Sequence, residues 1–235
     1  MFYGWRVVAA CFVIAAFAWA LGLFGGSVYL QAVTAAHGWA VAEVASAITL
    51  FFLVSASVQR LVGRSIDRWG PRPVLLLGAL CMTTGVALIG QVTAAWQLYP
   101  CFVLIGIGWS TLKVQYPDLL TGNTATVAPW FERHQGRSMT LAIMGASVGA
   151  IAGVPLLLFA LARLGLGQGL AVVAVVSAAL LLPLIGAVLR FRGPADLGLG
   201  RDGEAPPADA ARSGAAAAVA HRRPRLLLWS AAAGF

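Results

Sequence analysis

Gly63-Arg64-Ser65-Ile66-Asp67-Arg68-Trp69-Gly70-Pro71-Arg72 is a compact basic stretch with one carboxylate and a Gly-Pro pair. Long apolar runs flank it, at about 44–62 and 74–92. A helix needs about 20 apolar residues to cross a hydrocarbon core, and each run comes close. Gly-Pro breaks a helix, and arginines avoid lipid. The stretch therefore reads as a tight loop joining two membrane spans.

The same alternation extends in both directions. Apolar runs at about 7–30, 96 to between 112 and 120, 138–161 and 168–189 complete a set of six expected spans. The runs are too long for buried strands, and the ten-residue alternation of a membrane barrel is not seen. The opening MFYGWRVV continues apolar to about Leu30 with no cleavage signal, so it reads as a retained first span.

Composition agrees. Hydrophobic residues make up 60% of the 235, and charged residues 10%, against roughly a quarter in soluble domains. There is too little polar sequence to cover a soluble surface. The net charge of +8 and pI of about 10.5 would raise nucleic-acid binding in a soluble chain. Here the basic residues fall in the connections between apolar runs, without aromatic interleaving, which excludes a nucleic-acid partner. Cys11, Cys81 and Cys101 lie inside apolar runs and read as small buried hydrophobes. The three scattered histidines make no metal site. No nucleophile–base pair or intramembrane carboxylate pair is present, so no enzyme activity and no cofactor is expected.

Orientation follows from the loops. Arg6, the four arginines Arg60, Arg64, Arg68 and Arg72, then Arg133 and Arg137, and seven basic residues in 190–225 share one side. The connections 31–43 and 93–95 carry none, and the one near Gly165 carries only Arg163. The positive-inside rule places the N-terminus in the cytoplasm of a multi-pass plasma- or inner-membrane protein. We expect a six-helix bundle over 1–190 and a flexible cytoplasmic linker over 191–225, in which AAAAVA could form a short helix. The run LLLWSAAAGF, 226–235, is expected to be the truncated start of a seventh span.

With its neighbours assigned, the opening stretch resembles the signature loop of the major facilitator superfamily, G-x-x-x-D-R-x-G-x-R, complete at Gly63, Asp67, Arg68, Gly70 and Arg72. The resemblance implies a cytoplasmic gating latch. Asp67 with Arg68 or Arg72 would form charge-assisted bonds at helix ends, and the glycines would permit tight turning. The plainer reading is a solvated loop.

Tyr3-Gly4-Trp5 before Val7-Val8, then His37-Gly38-Trp39, look like the monocarboxylate-porter branch. So do Ala128-Pro129-Trp130-Phe131-Glu132-Arg133-His134-Gln135-Gly136-Arg137, which leads into span 5, and Gly145 to Gly149. This resemblance, over residues 3–190, implies an all-α half of a twelve-helix carrier with a three-plus-three inverted repeat. It also implies a small organic anion, often with a coupling proton, as the solute. The second half is missing from the chain, so the 235 residues alone are not expected to perform coupled transport. Alternatives are a drug or sugar exporter of the same superfamily, and a non-transporting membrane subunit or fragment. Two features depart from the branch. No ionisable residue lies between Arg6 and His37, where animal members carry a lysine, and the stretch 113–126 is longer and more polar.

Lys113 near the end of span 4 either faces a central cavity and attracts an anion or snorkels to the interface. Asp118 lies five residues on, in imperfect register for a pair. Trp19, Tyr29, Gln31 and Trp109 are further candidates for the solute path. Gly22 and Gly26, and Gly145, Gly149 and Gly153, stand four apart and suit close helix packing, with Pro155 able to bend span 5. Trp5, Trp39, Trp69, Trp96 and Trp130 sit at expected span ends and read as interfacial anchors. Glu43 suits the N-terminus of span 2.

Overall fold

The computed structural model describes residues 2–113, 127–191, 194–197, 200 and 202, and within these the chain is helical with no strand. The helices are α1 (Tyr3–Ala18), α2 (Gly25–His37), α3 (Val41–Trp69), α4 (Pro71–Ile89), α5 (Leu98–Leu112), α6 (Gln135–Val148) and α7 (Val154–Val188). A π-turn over Trp19–Leu23 joins α1 to α2, and another over Gly149–Gly153 joins α6 to α7. Gly165, at φ 76° and ψ 176°, breaks α7 into 154–164 and 166–188. The result is six rods, as the apolar runs predict. Residues 114–126 and 226–235, which carry Asp118 and the expected seventh span, lie outside the described residues.

Glycine and proline set the ends. Gly38, in the left-handed region, closes α2 by donating its N–H to Thr34 O at 2.9 Å. Gly70 at φ 88° is the single residue between α3 and α4, and Pro71 opens the new helix where its missing N–H costs nothing. Gln97 Oε1 accepts from the backbone N–H of Thr93 at 2.7 Å and of Ala94 at 3.3 Å, closing the short turn before α5.

Lipid tails are as apolar as leucine, so burial alone does not draw these rods together; close packing does. Gly145 and Gly149 lie against the backbone of Phe12 and Ala16, and Gly153 against Ala20. The steps match, so α1 and α6 run parallel. Gly106 lies on Phe51 O, and the Ser110 hydroxyl donates to Ser55 O at 3.0 Å, so α3 and α5 also run parallel. Gly90 touches Gly167 while Gly186 approaches Arg72, so α4 and 166–188 run antiparallel. Exchanging the first three rods with the last three converts the first-on-fifth pair into the fourth-on-second pair. It maps the third-on-sixth pair onto itself. Successive rods alternate in direction, so these three pairings are the ones that a three-plus-three inverted repeat would give.

Candidate functional site

The loop between α3 and α4 is built from two unlike parts. Ile66 faces inward to Val62 and Val74, and Gly70 is buried in its positive-φ turn. Gly63 lies inside α3, so of the two motif glycines only Gly70 makes the turn. Asp67, Arg68 and Arg72 point outward, with the Arg68 guanidinium 6.0 Å from the Trp69 ring. Among the described residues Asp67 makes no ion pair or hydrogen bond, so the expected bond to Arg68 or Arg72 is not formed in this arrangement. The carboxylate is presented on the surface of the bundle.

A second cluster lies where both chain ends of the bundle meet. Tyr3 packs on Trp130 at 5.3 Å and on Phe191 at 5.4 Å, and Trp5 packs on Phe131 at 5.1 Å. The Tyr3 hydroxyl donates to Val188 O at 2.8 Å. Trp130 is 1% exposed, so it belongs to the bundle interior and not to an interfacial belt, whereas Trp69 and Trp96 stand well exposed. Trp39 is half-buried and stacks on His37 at 4.4 Å. Beyond this cluster the linker begins with an ordered turn, Pro194–Leu197, where flexibility is expected from the sequence. Asp202 then reaches back. Its Oδ2 accepts from the N–H of Glu132 at 2.8 Å and of Arg133 at 2.7 Å, and its Oδ1 lies 3.1 Å from His134 Nδ1, just before α6. Burial pushes the Asp202 carboxyl up, but the Arg133 and Glu132 N–H groups and the His134 side chain outweigh it and hold the group below its ordinary value. Arg133, Gly136 and Arg137 are exposed around this contact, and Gly136 has open space about it.

The third region is mid-bundle. Trp19 opens the first π-turn and meets Trp109 of α5 edge-on at 5.1 Å. Gly22 has no side chain because the Trp109 ring occupies that space, 2.6 Å from where a Cβ would sit. Gly26 has ordinary room toward Ile48, so the Gly22–Gly26 pair does not bring two backbones together as the span 5 stripe does. The Tyr29 hydroxyl, fully buried, donates to Leu21 O at 2.9 Å beside the π-turn. Trp19 Nε1 is buried without a partner, an arrangement that costs about 1–3 kcal/mol. Pro155 follows the second π-turn, where Val154 N–H reaches back five residues to Gly149 O. The wider turn accommodates a ring that would clash with a regular helix.

Two residues of the expected solute path lie away from this centre. Gln31 is exposed and lines a groove of about 460 Å³ with Val28, Ala32, Leu158, Leu161 and Leu166. Lys113 is half-buried at the C-terminal end of α5, where the helix dipole favours a cation.

The π-turns, the Asp202 contact and the burial of Trp130 escape sequence reading. Local clues are present only in the Gly-rich run 149–153 before Pro155 and in the acid within a basic linker.

Comparison with known proteins agrees with this architecture. The chain is 27% identical over 170 residues to the oxalate:formate antiporter of Oxalobacter formigenes, covering 72% of this chain and 39% of that protein. It is 25% identical over 146 residues to the uncharacterized MFS-type transporter YcxA of Bacillus subtilis, covering 60% of this chain and 34% of that protein. It is 30% identical over 117 residues to the multidrug resistance protein MdtH of Yersinia enterocolitica, covering 49% and 27% respectively. The chain thus spans between 27% and 39% of the length of these relatives. The family model for the Major Facilitator Superfamily matches residues 8–235. With six packed rods and the complete signature loop, the chain belongs to the Major Facilitator Superfamily of integral, multi-pass membrane transporters.

Proposed function

We propose that this chain forms the first bundle of a secondary carrier for small organic anions, carboxylates foremost, working by alternating access with its N-terminus in the cytoplasm. One observation carries the choice of anion. Every carboxylate among the described residues sits at a rod end or in a connection: Glu43, Asp67, Glu132, Asp196 and Asp202. Between rod ends the described residues therefore carry no negative charge. A cation would find no counter-charge there, and an anion meets no repulsion. The similarity to an oxalate:formate antiporter supports the same class. The coupling proton implied by the monocarboxylate resemblance finds no carboxylate or imidazole mid-rod among the described residues, whereas exchange of one anion for another needs none.

A second reading, export of drugs, is favoured by the 30% identity to a multidrug resistance protein. Asp67 supports the gating role of the signature loop in either case. Unpaired within its own bundle, it is free to bind a partner bundle and hold the cytoplasmic side closed.

The test uses the full-length gene product in proteoliposomes. Labelled oxalate, formate and lactate are offered with the same anion loaded inside. Saturable, competable counterflow of a carboxylate is the expected result. Extrusion of lipophilic dyes with no carboxylate flux would replace this reading with the exporter.

A further inference from the structure

We infer that the Trp19 indole N–H is this bundle's hydrogen-bond donor to the transported solute, taking a carboxylate oxygen; the inference rests on the carrier reading above. Three observations converge on it. First, all but one (Ser55) of the other buried polar side chains around the bundle are committed. The hydroxyls of Thr83, Ser110, Thr111, Ser138 and Ser177 each donate to a backbone carbonyl, and Tyr29 donates to Leu21 O. Trp19 Nε1 is the one buried side-chain donor or acceptor among the described residues that has no partner. Phenylalanine would pack there without that cost, so the N–H is useful only where an acceptor arrives.

Second, its surroundings suit a small planar acid. Trp109 at 5.1 Å and Phe24 at 5.8 Å flank the indole, and the missing side chain of Gly22 lets Trp109 reach across from α5. No described carboxylate shares this layer.

Third, Trp19 stands at an irregular turn of its rod. It begins the π-turn Trp19–Leu23, closed by Phe24 N–H on Trp19 O at 2.9 Å. The second π-turn, Gly149–Gly153, abuts it through Gly153 and Ala20. Passing the extra residue of a π-turn along a helix rotates the adjoining side chains by about 100° without breaking the rod. Such a shift would re-aim the Trp19 N–H, so that a donor orphaned in this arrangement can be satisfied in another.

The experiment measures counterflow of oxalate and formate by the full-length protein and by Trp19→Phe, which keeps an aromatic ring and deletes the donor. We expect KM to rise about tenfold or more, with kcat changed less and thermal stability equal or higher. A Phe variant with KM within about twofold of wild type overturns the inference while leaving the carrier reading standing. Wild-type protein that moves neither anion removes the carrier reading and this inference with it. If the Phe variant fails to insert, wild-type protein carrying ¹⁵N-tryptophan only at position 19 decides the matter. A downfield shift of its indole proton on saturation with oxalate supports the donor role, and an unmoved signal overturns it.

Discussion

Asp202 shows how one side chain turns a tether into part of a domain. Its carboxylate accepts two backbone N–H bonds and meets His134, and its side chain is 6% exposed. The carboxyl is held below its ordinary value, so the contact contributes stability that is fully present above that ordinary value. The contribution is lost as pH falls through the lowered folded one. Asp202→Asn should speed amide hydrogen exchange at Glu132 and Arg133 at neutral pH. In wild type, after correction for intrinsic rates, that protection should persist into mild acid and vanish only as pH falls below the carboxyl's ordinary value. Tyr29 makes a second single-bond case. Tyr29→Phe leaves Leu21 O without its buried donor and should lower stability by about 1–3 kcal/mol, read as a thermal shift in detergent.

At the scale of elements, the span 5 glycines divide by what faces them. Gly145 and Gly149 have the backbone of α1 where a Cβ would be, and backbone cannot step aside. Gly149→Ala should therefore separate α1 from α6 and cost about 1–3 kcal/mol, measured by thermal unfolding of the purified protein. Gly26→Ala, with only Ile48 at 3.8 Å, should fall within about 0.5 kcal/mol of wild type. Equal effects of the two substitutions would refute the packing argument. The two π-turns belong to the same pair of rods and meet at the same depth. Spans 1 and 5 thus share one irregular layer, placed where two helices otherwise lock in step.

For the whole molecule, the parallel pairs α1 with α6 and α3 with α5 require rods one and five to share a direction opposite to rods two and four. Single cysteines placed at Ala36 and Ala94, in a cysteine-free background, should react with an impermeant thiol reagent added outside intact cells. One placed at Ser65 should react only after permeabilisation. The reverse pattern would overturn a cytoplasmic N-terminus. In the full-length protein, Asp67→Asn should lower turnover about tenfold at unchanged expression, equivalent to about 1.4 kcal/mol of lost closed-state stabilisation. Wild-type turnover in that variant would reduce the loop to a solvated turn.

Hydropathy and charge are properties summed along the chain, and lipid reads them directly. The six spans, the tight α3–α4 turn at Gly70 and the superfamily are therefore legible in the sequence: arginines at 60–72 and apolar runs on either side leave one economical arrangement. The candidate site is legible only as residue names. Trp19 and Trp109 stand out as intramembrane aromatics, but nothing in their spacing tells that Gly22 clears the space between them. Trp130 at a span end looks like an anchor, yet Phe2 and Tyr3, more than a hundred residues earlier, enclose it. Asp202 looks like linker until the N–H groups of Glu132 and Arg133 are placed beside it. Solvation by lipid acts on each residue where it stands, and so the sequence by itself determined the spans and the superfamily. Steric fit and hydrogen bonding act between residues far apart in the chain, and so only the tertiary structure decided the paired rods, the facing π-turns and the orphaned indole.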